Sequence, residues 1–114
     1  MNLYAETING ALVIRMAEDR LDAAIAIRFK DTMRDLTDHP ASRVVLDLSH
    51  VTFLDSSGLG ALVAVMKGLG HGRKLELSGL RPQVEKVLKL TRMNTVFPIH
   101  PDVDHAVGGL RNVG

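Results

Sequence analysis

Residues 43–60 read RVVLDLSHVTFLDSSGLG, and this stretch indicates a buried strand, a loop and the start of a helix. The segment Arg43–Ser49 is apolar at most positions with hardly any alternation, which is typical of a strand covered on both faces. We therefore predict that it lies in the centre of a sheet. After the loop, apolar residues recur at helical spacing from Leu59 to Leu69, so a helix follows, and nearby glycines stop it.

Upstream of this strand the chain carries a hairpin and a helix. Leu3–Met16 reads as two short strands around Asn9-Gly10, a dipeptide that suits a tight turn because both turn positions need positive φ. We predict an edge hairpin here. Apolar residues then recur at helical spacing over Ile25–Leu36, which indicates an amphipathic helix. Asp22 is expected to be its N-cap, and His39-Pro40 marks its end, since the residue before a proline is pushed out of the helical region.

Downstream of the central strand, strands and helices continue to alternate. The pattern predicts a strand at Leu75–Leu77, a third helix from Pro82, a last short strand at Val96–Ile99 and a weak helix at Asp102–Leu110. This order indicates an α/β fold: a mixed, largely parallel sheet of about four to five strands, with the hairpin at its edge and about four helices. No linker interrupts the chain, so we expect residues 1–114 to form a single domain.

The composition excludes several classes of function. The 114 residues include 14 Lys and Arg against 13 Asp and Glu, without a basic block, so no nucleic-acid-binding surface is expected. The absence of cysteine excludes disulfides, thiolate nucleophiles and cysteine-based zinc sites. The first residues, MNLYAETING, do not resemble a signal peptide, and no segment reaches the ~20 apolar residues of a membrane span. We therefore expect a soluble, cytoplasmic protein without membrane insertion.

The sequence offers no candidate constellation for catalysis. The glycine-rich turn after the central strand lacks the lysine of a phosphate-binding loop. It also lacks the glycine that precedes the serine of a nucleophile elbow. The histidines have no metal-ligand spacing, and we expect their imidazoles to be exposed; they are His39, His50, His71, His100 and His105. We predict no enzyme activity, no cofactor and no metal.

The Asp-Ser-Ser-Gly turn has two interpretations on physical grounds. In the first it caps a helix: Ser56 is the N-cap, Asp55 favours the positive end of the helix dipole, and Gly58 and Gly60 allow close packing. In the second, an exposed serine hydroxyl beside an acid is a phosphoacceptor, and a phosphate there adds about −1.5 to −2 charges to a nearly neutral surface. The small residues of this helix likewise suit either close packing by another element or docking of a partner.

The central stretch and its surroundings resemble a known family. The segments that carry the resemblance are RLDAAIA at residues 20–26, VVLDLSHVTFLDSSGLGALVAVMKGL at 44–69 and LELSGLRPQVEKVLKLTRMNTVFPI at 75–99. Together they resemble the STAS domain of bacterial anti-sigma-factor antagonists, over nearly the whole chain from Leu3 to Gly109. The resemblance implies a small α/β domain that binds an anti-sigma factor with serine kinase activity and thereby frees a sigma factor. In such systems the kinase phosphorylates the antagonist to end the interaction, and a PP2C-type phosphatase restores it.

The resemblance also implies roles for individual residues. It makes Ser56 the phosphoacceptor, Asp55 the acid before it, Ser57 the neighbouring hydroxyl, and Asp22 a kinase contact near the first helix. The implied partner-binding residues are Asp22, Asp55, Ser56, Ser57, Gly58, Leu59 and Gly60.

One turn of this chain departs from the family pattern, and the chain has a second resemblance. The family usually has a glycine in the turn after the third helix, where this chain has Thr91-Arg92-Met93-Asn94, so we expect Asn94 to adopt the left-handed C-cap conformation. The chain also resembles the small STAS subunit of phospholipid-trafficking ABC transporters, which binds the ATPase subunit. The intact Asp-Ser-Ser-Gly sequence favours the phosphorylation switch over this alternative.

Overall fold

The computed structural model describes residues 1–108, and strands alternate with helices along them. The strands are β1 Leu3–Ile8, β2 Ala11–Met16, β3 Arg20–Leu21, β4 Arg43–Asp47, β5 Phe53–Leu54, β6 Lys74–Ser78 and β7 Ile99–His100. The helices are α1 Ala26–Leu36, α2 Ser56–Leu69, α3 Pro82–Leu90 and α4 Val103–Val107, with one turn of 3₁₀ helix at Met93–Thr95. The predicted α/β class is confirmed.

Five strands form a mixed sheet in the order β1-β2-β4-β6-β7. β1 and β2 are antiparallel, whereas β2, β4, β6 and β7 run parallel to their neighbours. The hairpin turn places Asn9 and Gly10 at φ of 50° and 82°, the positive values that this dipeptide adopts at low cost. The edge hairpin and the central position of β4 are therefore as predicted.

Helices cover the two faces of this sheet unequally. Alternate side chains of a strand point to opposite faces. On one face, Ile14, Leu46 and Leu77 belong to the main core, together with residues of α1, α2 and α3. On the other face, Val13 and Val45 form a smaller cluster with α4. Because both faces of β4 are covered, its apolar run shows no alternation.

A second, two-stranded sheet lies beside the first. β3 and β5 are parallel, with Arg20 opposite Phe53 and Leu21 opposite Leu54. The backbone N–H of Thr52 extends this pairing by donating to the carbonyl oxygen of Asp19, 2.8 Å away. The sequence pattern does not predict this sheet. Its consequence is that the chain entering α1 and the chain entering α2 are joined by backbone hydrogen bonds.

A cluster of polar side chains around the buried Glu76 carboxylate fastens α4 to the sheet. The Glu76 side chain, 5% exposed, accepts two hydrogen bonds of 2.7 Å from the Arg43 guanidinium and one of the same length from His100 Nε2. Arg43 also donates to the carbonyl oxygen of Ala106 in α4, 2.6 Å away. Arg43 above all, and then His100, holds the pKa of Glu76 below its usual range. The prediction of an exposed imidazole is therefore wrong for His100, whose strand places it against a buried carboxylate.

The start of α1 differs from the prediction. The helix begins at Ala26, and its cap position is held by Ile25 without a side-chain hydrogen bond. Asp22 lies one turn earlier, where its carbonyl oxygen accepts from the backbone N–H groups of Ile25 and Ala26. The prediction of Asp22 as the N-cap is wrong, because a separate turn precedes the regular helix. α1 ends at Leu36, close to the predicted boundary.

The last elements are also shifted. The predicted strand at Val96–Ile99 is found at Ile99–His100, because the chain first forms the 3₁₀ turn Met93–Thr95. The left-handed residue after α3 is Arg92, with φ of 60°, so the prediction of Asn94 is wrong. α4 ends at Val107. The remainder of the predicted weak helix, Gly109 and Leu110, lies outside the described residues.

Candidate functional site

The candidate site forms where the turn before α1 meets the start of α2. The backbone N–H of Asp55 donates to the carbonyl oxygen of Leu21 at 3.4 Å. In return, Asp55 Oδ2 accepts a hydrogen bond from the backbone N–H of Ala23 at 3.2 Å. Residues 19–24 and 52–58 therefore form one hydrogen-bonded unit.

Gly58 makes this close approach possible. A Cβ atom at this position would lie 2.0 Å from the carbonyl oxygen of Leu21 and 2.9 Å from Leu54 Cδ1. Only glycine fits such a contact without movement of the backbone. Gly60 differs, because a Cβ atom there meets nothing within 4 Å. The expectation of close packing is thus right for Gly58 and wrong for Gly60.

The cap of α2 is Asp55 and not Ser56. Asp55 has an extended backbone, with φ of −106° and ψ of −176°, and its Oδ1 accepts a hydrogen bond from the backbone N–H of Gly58 at 2.8 Å. The prediction of Ser56 as N-cap is wrong, since Ser56 is already the first helical residue. The Gly58 N–H, with smaller contributions from other backbone N–H groups and the Arg20 charge, holds the pKa of Asp55 below its usual range.

The remaining residues of the turn differ in exposure. Ser56, Ser57 and Gly60 are exposed, whereas Leu59 is half-buried and packs against the main core. Gly58 is buried. The first turn of α2 therefore presents two serine side chains to solvent, while the residues that follow them fix its position.

Asp22 lies in the same unit, on the side of α1. Its Oδ1 accepts from the backbone N–H of Ala24 at 3.1 Å, which closes a local turn. Its Oδ2 lies 3.1 Å from Nε of Arg20 and forms an ion pair with it. The backbone N–H of Ala23 thus donates to Asp55, and the next one along the chain, that of Ala24, donates to Asp22. These contacts bring the two predicted acidic residues onto one surface.

Two residues that the sequence interpretation omits, Arg20 and Phe53, complete this surface. The Phe53 ring is 40% exposed. The Arg20 guanidinium carbon lies over it, 4.1 Å from the ring centroid, within the range of a cation–π contact. The pairing of β3 with β5 brings the two residues together. No pattern in the sequence indicates this pairing. We refer to residues 19–24 and 52–57 as the candidate surface.

Within residues 1–108, no helix is long and apolar enough to cross a membrane. Over the same residues, no three histidine, aspartate or glutamate side chains are grouped closely enough to hold a metal ion.

Comparisons with known proteins agree with the α/β fold. Residues 2–106 match the family model of the STAS domain. BtrV of Bordetella bronchiseptica, which is named as an anti-sigma factor antagonist, is 28% identical over 100 residues, or 87% of this chain and 85% of BtrV. The crystal structure of an anti-sigma factor antagonist from Mycobacterium paratuberculosis is similar with a TM-score of 0.83 and 25% identity, covering 96% of this chain and 93% of that chain.

The anti-sigma factor antagonist SpoIIAA has the same fold. Its unphosphorylated form is similar with a TM-score of 0.73 and 20% identity, covering 99% of each chain. Its phosphorylated form, from Bacillus, has a TM-score of 0.67 and 18% identity, covering 94% of this chain and 97% of that chain.

Proposed function

The chain belongs to the STAS domain family, and we propose that it is an anti-sigma factor antagonist that works by partner switching. In its unphosphorylated form it binds an anti-sigma factor that is also a serine kinase, and this binding releases a sigma factor. Phosphorylation of Ser56 ends the interaction, and a PP2C-type phosphatase restores it. We place this cycle in the cytoplasm.

The observation that carries the proposal is the environment of Ser56. Its side chain is exposed in the first turn of α2, and the cap is made by Asp55, so the cap does not occupy the serine hydroxyl. A helix N-terminus also favours negative charge, by about 0.3–1 kcal/mol for an exposed group. A phosphate on Ser56 is therefore compatible with the fold of the free protein.

The chain itself acts as the acceptor in this reaction. The Ser56 oxygen forms a bond to the γ-phosphorus of ATP, and the bond from that phosphorus to the bridging oxygen of ADP breaks. The hydroxyl proton passes to a base supplied by the kinase. We assign no catalytic step to residues of this chain.

The proposed partner surface includes Asp22 and the stretch from Asp55 to Gly60. Its support is geometric: Asp22, Asp55 and the exposed Ser56, Ser57 and Gly60 share one surface or border it. Gly58 and Leu59 have a different part, because their burial fixes the start of α2. SpoIIAA, which is known in phosphorylated and unphosphorylated forms, provides a precedent for a switch on this fold.

The test is direct phosphorylation. The purified chain is incubated with ATP and the purified ATPase-fold serine kinase encoded nearest to its gene, and the product is examined by intact mass and phosphopeptide mapping. We expect one phosphate on Ser56, no phosphate on the Ser56→Ala variant, and normal phosphorylation of Ser57→Ala.

Other outcomes have defined meanings. A label on Ser57 contradicts the assignment of the acceptor. A chain that no such kinase binds or phosphorylates, but that copurifies with the ATPase of a phospholipid-trafficking ABC transporter, contradicts the switch and supports the transporter alternative.

A further inference from the structure

An exposed aromatic ring three residues before the proposed phosphoacceptor serine suggests a contact for a partner. Phe53 is one of few large apolar side chains exposed within residues 1–108, and an arginine stacks on it. The other exposed side chains of this kind lie elsewhere in the chain, outside the candidate surface; they are Tyr4, Ile27, Leu90 and Val96. Phenylalanine and arginine are enriched at protein–protein interfaces, and the few residues that carry most of the binding energy cluster near the centre of such interfaces. The stacked pair therefore has the composition of a binding hot spot.

The pair is also held in place before any partner arrives. Arg20 and Phe53 lie opposite each other in the β3–β5 sheet. The Asp22 carboxylate also holds the Arg20 guanidinium, with Oδ2 3.1 Å from Nε. A side chain that is already ordered loses less conformational entropy on binding, so its contacts contribute more to the affinity.

The position of the pair identifies its partner. Phe53 belongs to the strand that leads directly into Asp55 and Ser56, and a kinase that phosphorylates Ser56 has to cover the surface around this hydroxyl. We infer that Arg20 and Phe53 form the docking anchor for the serine kinase that modifies Ser56. This inference rests on the proposed function and gives a role to two residues to which the family resemblance assigned none.

The chemistry of the anchor defines what the kinase presents. Arg20 covers one side of the Phe53 ring, so the exposed part of the ring fits an apolar pocket. The Arg20 guanidinium retains N–H groups that can donate hydrogen bonds to a carboxylate at the rim of that pocket. Such a docking contact acts on binding and not on the transfer of the phosphate.

The experiment separates these two effects. Phosphorylation kinetics and calorimetric affinity are measured with the same purified kinase for the wild type, Phe53→Ala, Phe53→Leu and Arg20→Lys. For Phe53→Ala we expect an affinity lower by about 30-fold or more and a similarly raised KM, with kcat changed by less than about twofold. Arg20→Lys, which keeps the charge but loses the planar stack, is expected to bind the kinase about three- to tenfold more weakly.

Tyr4→Ala is the control, because Tyr4 is also an exposed aromatic residue but lies on the edge strand β1. It is expected to change affinity and KM by less than about twofold. Circular dichroism and thermal melting check that each variant folds. Phe53→Leu, which retains apolar bulk but lacks the ring, provides the test if Phe53→Ala does not fold.

The outcomes distinguish this inference from the proposed function. Folded Phe53 variants that bind the kinase as tightly as the wild type overturn the docking role, while the switch itself stands. A lower kcat at unchanged KM also overturns it, since that result places Phe53 in the transfer step. A wild-type chain that the kinase neither binds nor phosphorylates overturns the proposed function, and the anchor with it.

Discussion

The carbonyl oxygen of Leu21 lies so close to Gly58 that a Cβ atom at residue 58 would be only 2.0 Å from it. The start of α2 thus rests directly on the backbone of β3. We predict that Gly58→Ala lowers the free energy of unfolding by about 3 kcal/mol, because backbone atoms on both sides have to move apart. Urea unfolding of the purified variant measures this change.

Gly60→Ala is the control within the same helix. A Cβ atom at residue 60 is in open space, so alanine gains helix propensity without a clash. We expect this variant to be more stable than the wild type by about 0.5–1 kcal/mol. Equal stability of the two alanine variants contradicts the close contact between Gly58 and Leu21.

The β3–β5 sheet shows why part of the site could not be predicted. Each strand has two residues, which is too short for a periodic pattern, and their pairing depends on the approach of distant segments. The edge hairpin and β4 could be predicted, because Asn9-Gly10 and an unbroken apolar run are local signals. The Asp-Ser-Ser-Gly turn could therefore be placed correctly at the start of a helix, whereas its contacts with Arg20 and Leu21 required the folded structure.

The capping residues show a second limit. The sequence places the start of α2 to within one residue, but the side chain that caps it is decided by the backbone angles of Asp55. The turn before α1 likewise places Asp22 outside the helix it was expected to cap. Sequence signals locate helix ends, and the three-dimensional path of the chain selects the cap.

The Glu76 cluster makes stability dependent on pH. Because Arg43 and His100 favour its charged form, the pKa of Glu76 in the folded chain lies below its unfolded value of about 4.3. The stabilisation is therefore complete above the unfolded pKa and is lost as the pH falls through the folded pKa. We predict that Glu76→Gln is less stable at pH 7 by about 1.5–3 kcal/mol and has a shallower loss of stability in acid.

Denaturant unfolding between pH 7 and about pH 3 tests this prediction across the titration range of a carboxyl group. Glu6→Gln is the control, since Glu6 pairs with Arg15 in an exposed position. It is expected to cost less than about 1 kcal/mol. If the free energy of unfolding falls as steeply with decreasing pH in Glu76→Gln as in the wild type, the pH dependence comes from another group.

The left-handed residue after α3 offers a stabilising substitution. Arg92 has φ of 60°, which costs a residue with a side chain about 1–2 kcal/mol. Glycine avoids this cost but loses more entropy on folding, so we predict that Arg92→Gly raises the free energy of unfolding by about 0.5–1 kcal/mol. Thermal melting compares it with Asn94→Gly, which has no positive φ to relieve and is expected to be destabilising. A less stable Arg92→Gly contradicts the prediction.

The Asp22→Asn variant distinguishes a structural role of Asp22 from a role in contacting the kinase. In Asp22→Asn the amide oxygen still accepts from the backbone N–H of Ala24, while the ion pair with Arg20 is lost. We predict a change in stability below about 1 kcal/mol and, if the kinase contacts this carboxylate, an affinity lower by about tenfold or more. Asp31→Asn is the control, because it loses an ion pair of similar length, 3.0 Å, with Arg34 on α1. Unchanged kinase affinity of Asp22→Asn leaves Asp22 as a turn-forming residue only.

Phosphorylation of Ser56 is predicted to act at the interface without refolding the domain. Ser56 is exposed at a helix N-terminus, so the added charge is accepted locally, and backbone NMR shifts are expected to change only within residues 19–24 and 52–60. In the complex the phosphate meets a surface shaped for a neutral hydroxyl. A loss of about 3 kcal/mol there weakens binding more than 100-fold.

The Ser56→Asp variant tests whether charge is the cause. A carboxylate carries about half the charge of a phosphate, so calorimetry is expected to give an affinity between those of the unphosphorylated and phosphorylated chains. Ser57→Asp places the same charge one residue further along α2, and a smaller effect is expected if the hydroxyl of Ser56 lies at the centre of the contact. Shift changes that extend through β4 and β6 indicate an internal rearrangement instead, because these strands lie in the buried centre of the sheet.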